Sequence, residues 1–416
     1  MTSRRDVARS AALACALAAS ACQTTVDSLG YNDATGIVLH PMRGPASYQN
    51  AFRDLLGKSS ADIEAKLASA YAQLFHGDPD LQAIYFPVSG QPQAFIRDVL
   101  HDDIRTEGIG LGMIISLELD KRDELDRLWT YAKTTLEEKQ GSARGYFKSS
   151  CRESTAMDAP CFDPYGMEYM LMALLLANDR WGTEEGGVDY ATGAKELLTV
   201  MRHKQDENGG IADGLTDTFD SSERLPFSFP LTSSAGKTRP SIVTPGFYDM
   251  WSQAAADPFW SKAASAGRRF WKATAHPKTG LVPLRSQFDG SPDASDGTFG
   301  TEAYRTFINV VIDRIWSPTD DWDVQEADRV LGFFLGQGFN VYGRNYQIDG
   351  TPLDSVHEPS LVMTNGITGL VATIEQRSRF IAEVWDLDLP VGPGRYYTGI
   401  LQMVGLLILS GELRVY

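Results

Sequence analysis

Metal-ligand and phosphate-cradling signatures are missing from this sequence. Its six histidines, His40, His76, His101, His203, His276 and His357, are scattered, with no His-Glu-x-x-His and no Cys-x-x-Cys. Those are the spacings that bring metal ligands to one helix face or one knuckle, so no metal centre is expected. There is no Gly-x-Ser-x-Gly turn and no phosphate loop, which removes the defining parts of serine hydrolases and nucleotide binders. Positive charge is also short: 38 Lys and Arg stand against 54 Asp and Glu, for a formal net charge of -16. Nucleic acid, which binds mainly through basic groups, is therefore not an expected partner. What remains is an inventory of carboxylates and aromatic rings. That suits a glycan cleft, where rings stack on sugar faces and two carboxyl groups supply the acid and the base or nucleophile, with no cofactor.

The chain opens with Arg4, Arg5 and Arg9, a small, mildly apolar run from Ala11 to Ala19, and then Ala19-Ser20-Ala21-Cys22. This is the pattern of an export signal that is processed rather than folded. The run is shorter than the about 20 apolar residues of a membrane-crossing helix. Small residues before Cys22 suit a lipoprotein signal peptidase, so residues 1–21 are read as signal peptide, Cys22 as a lipidated N-terminus and residues 22–45 as a tether. An ordinary secretory peptide cleaved near Ala21 is the alternative. Ser3-Arg4-Arg5-Asp6-Val7 resembles a twin-arginine signal, with Val7 where that motif prefers Phe or Leu. With Gln23 following Cys22, the expectation is an exported protein held by its lipid in the periplasm at the outer membrane. Cys151 and Cys161 lie in one Pro- and Asp-containing loop. An oxidising compartment permits a disulfide between them, and two unlinked thiols are the alternative.

Helical periodicity recurs through Ala61 to Leu74, Gly110 to Leu119, Glu124 to Glu137, Gly166 to Asn178, Tyr190 to His203 and Pro258 to Ala273. It continues through Glu302 to Ile315, Val324 to Leu335, Thr364 to Arg379 and Tyr397 to Leu409. Strand signals are few, and Gly, Pro and Asp clusters such as 206–214 and 288–300 read as turns. Several helices are apolar nearly all round, for example Gly166 to Leu176. A helix buried on every side fits an inner ring shielded by an outer one. A stacked solenoid would show a fixed sequence repeat, and none is found. No linker divides residues 46–416, so one all-α domain is expected, as a monomer.

The most unusual stretch is Asp103-Ile104-Arg105-Thr106-Glu107-Gly108-Ile109-Gly110-Leu111-Gly112: one carboxylate between a cation and a Gly-rich turn that opens an apolar helix. Glu107 there can face a cleft, or it can serve a capping box with Asp103 or Thr106 as the cap.

Arg105-Thr106-Glu107-Gly108, followed by Gly110, Gly112-Met113 and Asp120, resembles the signature helix of glycoside hydrolase family 8. The resemblance spreads through Ser47-Tyr48 to Leu56, Gln73-Leu74-Phe75, Arg180-Trp181-Gly182 and Arg395-Tyr396-Tyr397 to Ser410-Gly411. Within the family it is closest to the reducing-end xylose-releasing exo-oligoxylanases. It implies an (α/α)6 barrel, a six-hairpin toroid of about twelve helices. It also implies an inverting mechanism on β-linked xylan-, cellulose- or exopolysaccharide-like chains, with a non-catalytic glycan-binding lipoprotein as the alternative. Glu107 matches the family's general acid, and Glu302, in Thr301-Glu302-Ala303-Tyr304-Arg305, falls where the family has an Asp as general base. Arg105, Tyr304, Arg305, His357, Tyr396 and Tyr397 match substrate-binding positions, and Tyr165 with the neighbouring Asp163 is expected to bind substrate beside them. Three further departures accompany Glu302: Tyr165 replaces an Asp that touches the sugar, Ser149 a cleft Trp, and Ile242 a Tyr that helps hold the attacking water. The Ser355-Val356-His357-Glu358 loop resembles the wall that gives the exo-acting group its preference.

Overall fold

The computed structural model describes residues 36–150, 161–204 and 213–416. The signal segment, Cys22 and Cys151 lie outside the described residues. Cys161 is disulfide-bonded, and the other three cysteines all fall outside that set.

Thirteen α-helices and four two-stranded ribbons make up the described fold. In chain order the helices are α1 (Ala51–Leu56), α2 (Ser60–His76), α3 (Thr106–Glu118), α4 (Arg122–Tyr131), α5 (Pro164–Trp181), α6 (Tyr190–His203) and α7 (Pro245–Ala255). They continue as α8 (Pro258–Thr274), α9 (Arg305–Trp316), α10 (Trp322–Gln337), α11 (Pro359–Thr368), α12 (Arg377–Asp386) and α13 (Arg395–Ser410). Helices α3, α5, α7, α9, α11 and α13 each pack on the next, and α13 returns to α3, closing an inner ring. Each inner helix is also packed against an outer partner: α4, α6, α8, α10, α12 and α2 in turn. The result is the expected (α/α)6 toroid, with the short α1 added against α12 and α13.

Amphipathicity sorts the two rings. Every residue of α3 is buried, whereas the outer α8 buries only one stripe, including Phe259, Trp260, Ala263, Phe270 and Trp271. The inner helices approach closely because glycines line their contacts. A Cβ on Gly110 of α3 would lie 2.7 Å from the Tyr169 Cβ and 2.8 Å from the Gly166 carbonyl oxygen of α5. The Gly-rich start of α3 is thus a packing surface as well as a turn. No described helix is long and apolar enough to cross a membrane.

Two boundaries differ from the sequence expectation. The single helix expected over Thr364 to Arg379 is two, α11 and α12, because Asp328 of α10 accepts from the Thr373 and Ile374 amides at 2.6 and 3.0 Å and holds the chain open between them. Glu302, expected inside a helix, lies in a turn that precedes α9. Helix α7 gave no periodic signal of its own, being buried on most sides behind Pro245 and Gly246.

Candidate active site

Elements from around the inner ring present their N-terminal ends to one cleft of about 560 Å³, within the ordinary range for ligand sites. Glu107 comes from the first turn of α3, Asp163 is the N-cap of α5, Glu302 sits just before α9, and Tyr396 and Tyr397 open α13. Helix N-termini carry partial positive charge, so the barrel places acidic groups where its own backbone favours them.

Glu107 is 6% exposed and is not a capping carboxylate. The α3 N-cap is Arg105, which makes no side-chain cap bond. Asp103 instead pairs with Arg105, Nε to Oδ1 at 3.0 Å. The Thr106 amide donates to Ser149 Oγ at 3.2 Å, so the serine standing in the position of a cleft Trp secures the start of α3. Glu107 itself is bound by the Arg305 guanidinium and accepts from Tyr396 Oη at 3.3 Å.

Glu302 Oε2 lies 3.4 Å from Arg305 Nη2 and 3.2 Å from Arg239 Nη1. Burial pushes its carboxyl up, but Arg305, Arg239 and Arg285 outweigh that and hold it below the usual carboxylate range. Cleft solvent still reaches it, since 34% of the side chain is exposed. Because Glu107 and Glu302 share the Arg305 guanidinium, they lie within the ~9.5 Å upper limit for an inverting pair of carboxyls. Arg239 also binds Asp163, Nη2 to Oδ1 at 2.5 Å. A continuous chain therefore runs Asp163, Arg239, Glu302, Arg305, Glu107.

Of the residues singled out in the sequence, Arg105, Glu107, Asp163, Glu302, Tyr396 and Tyr397 line the cleft. Tyr165, Tyr304 and Arg305 do not line it; they form its buried support. Arg305 is 1% exposed, and its guanidinium carbon lies 4.5 Å from the Tyr165 ring centroid. The Tyr304 hydroxyl bonds Ser360 Oγ at 2.7 Å beneath the floor. His357 is not among the lining residues: Glu383 on α12 engages its Nε2 at 2.9 Å, and the Tyr342 carbonyl lies 3.1 Å from its Nδ1. Ile242 is fully buried and presents no hydroxyl to a water.

Sequence reasoning missed Arg239, Phe229, Asp98 and His101, all of which line the cleft. Asp98 and His101 pair at 2.6 Å and Asp98 also receives Arg105 at 3.0 Å; their proximity to Glu107 in sequence was a usable signal. Arg239 had only its position beside Pro240-Ser241-Ile242 to mark it.

A protein-family model for glycosyl hydrolases family 8 matches residues 95–411. The chain is 32% identical over 380 residues to the reducing-end xylose-releasing exo-oligoxylanase Rex8A of Paenibacillus barcinonensis, covering 89% of this chain and 97% of that protein. The structure of Rex8A complexed with xylose superimposes with a TM-score of 0.81, covering 90% of this chain and 100% of that one. A xylobiose complex of a family 8 enzyme from Teredinibacter turnerae, also 32% identical, gives a TM-score of 0.82 over 89% of this chain and 98% of that one. Nothing in these comparisons supports the non-catalytic alternative. Sequence, barrel and paired carboxylates agree, and the chain belongs to the glycosyl hydrolases of family 8.

Proposed function

We propose that this glycoside hydrolase cleaves β-linked xylo-oligosaccharides with inversion, Glu107 acting as general acid and Glu302 as general base. The observation that carries the reading is the shared Arg305, which ties two carboxylates of different surroundings to one cleft floor. Glu107 gives its proton to the leaving glycosidic oxygen as the C–O bond breaks. Glu302, held as an anion by its two guanidiniums, takes a proton from the water that attacks the anomeric carbon from the opposite face. Xylose chemistry is favoured by similarity to an exo-oligoxylanase and to an enzyme crystallised with xylobiose. Tyr397 and Phe229 supply rings at the cleft for sugar faces.

Incubation with xylo-oligosaccharides, compared with Glu107→Gln, tests the reading. Product release is expected from the wild type and a loss of about 10²–10⁴-fold from the variant; equal traces would sink it. Proton NMR at early times should show the inverted anomer first. We place the mature protein on the outer membrane through a lipid on Cys22; Cys22→Ser should release it into the soluble fraction, and unchanged fractionation would refute the anchor.

A further inference from the structure

We propose that Arg239 is a positioning residue of this cleft: its guanidinium fixes the spacing between Glu302, acting as base, and Asp163, whose second carboxylate oxygen accepts a hydrogen bond from a sugar hydroxyl. The inference rests on the assignment of Glu302 as base.

The geometry is that of a fork. Arg239 presents Nη1 to Glu302 at 3.2 Å and Nη2 to Asp163 at 2.5 Å, and Nη2 also reaches the Ser228 carbonyl at 3.2 Å. A planar guanidinium holds two acceptors at a fixed separation, which a point charge on a flexible stem does not. The fork itself is rigidly mounted. Arg239 follows the strand Lys237–Thr238, paired with Ser286–Gln287, and precedes the tight turn Pro240–Ile242. Its side chain is 4% exposed, and its face lies 4.9 Å from the Phe229 centroid.

Both partners belong to the cleft rather than to the scaffold. Asp163 spends Oδ1 on Arg239 and on the Tyr165 amide, at 3.2 Å for the latter, and Oδ2 has no partner among the described residues. Tyr165 occupies the place of an Asp that touches sugar in the resembling family, and its ring is 1% exposed. A carboxylate two residues earlier, turned to the cleft by Arg239, restores the lost acceptor. Glu302 gains the same guanidinium, so its additional methylene is pinned from two sides. Buried ion pairs of this kind contribute little net stability, which leaves positioning as the stronger account of this one.

The test uses the full-length enzyme, with thermal melting and circular dichroism to confirm folding and the pH dependence of kcat/KM on a xylo-oligosaccharide as readout. Glu302 is faced by Arg239, by Arg305 of α9, by Arg285 and by Tyr397 of α13, with Asp163 and Glu107 one guanidinium away. Arg239→Gln should lower kcat by about 10²-fold, the scale of an ångström's misplacement, and move the acid limb to higher pH by removing a cation from Glu302. Asp163→Asn should move that limb the other way, because it frees Arg239 for Glu302. Arg239→Lys, which keeps charge without the fork, should hold the limb near its original place yet still lose kcat. Opposite shifts in the two charge variants support the clamp. An unmoved limb in folded Arg239→Gln and Asp163→Asn would overturn it. Should Arg239→Gln fail to fold, an unmoved limb in Asp163→Asn together with wild-type kcat in Arg239→Lys would overturn it equally. Glu302→Gln separates the two ideas: wild-type turnover there refutes the base assignment, whereas inactivity beside unmoved limbs refutes the clamp alone.

Discussion

A glutamate in place of an aspartate has one more torsion to fix, and its carboxylate reaches about an ångström farther, a displacement that can cost roughly 10²-fold in rate. Here that reach is absorbed by Arg239 and Arg305. Glu302→Asp is therefore expected to lower kcat by one to two orders of magnitude, because the shorter arm leaves both guanidiniums; steady-state kinetics on xylo-oligosaccharides decide it, and undiminished kcat would show that the extra methylene has no tuned role. The same cations set a pH limit. Glu302 is held below the usual carboxylate range, so in its proposed role as base it stays competent until the pH falls below that range. The acid limb of kcat/KM should accordingly lie on the acidic side of an ordinary glutamate.

Helix α3 carries Glu107 at its head and Glu118 at its tail, and the two ends do different work. Burial pushes Glu118 up to about 8, against hydrogen bonds from Tyr416 and the Arg414 amide and the charge of Arg180. Its folded pKa stands above its unfolded one, so its contribution to stability is complete below about pH 4.5 and is lost as pH rises through about 8. Glu326 of α10, pushed up to about 8 by burial, adds in the same direction. Melting temperature should fall between pH 5 and 8.5, and Glu118→Gln should flatten that fall; a melting temperature that rises over this window would contradict the assignment. At the contact between α3 and α5 there is no room for a methyl group. Gly110→Ala should destabilise by about 1–3 kcal/mol through overpacking, read as a lowered denaturation midpoint.

Across the whole molecule, the last helix meets the first of the inner ring, and the chain that follows it locks the closure. The Tyr416 hydroxyl donates to Glu118 at 2.7 Å and accepts from Arg180 at 2.7 Å, while the Val415 amide reaches Tyr48 Oη at 2.8 Å. These contacts join residues of α3, α5 and the N-terminal arm. Tyr416→Phe should cost about 1–3 kcal/mol, because it leaves a buried carboxyl short of a donor. Activity at temperatures well below the melting transition should be unchanged, since this latch lies at the opposite end of α3 from the cleft; a matching loss of kcat would show the two ends to be coupled.

Sequence by itself determined the all-helical class, the ring of hairpins and the segment that turns Glu107 to a cleft. These depend on local periodicity and on a contiguous motif, both of which survive in one dimension. It did not separate α11 from α12, because the break is made by Asp328, distant in sequence. It could not tell that Tyr165, Tyr304 and Arg305 support the cleft from beneath, nor that His357 turns to Glu383, since burial is a property of packing. Above all it passed over Arg239. A guanidinium becomes part of a site only when the fold brings Asp163 from one helix and Glu302 from the turn before another to its two nitrogens, and that convergence exists only in three dimensions.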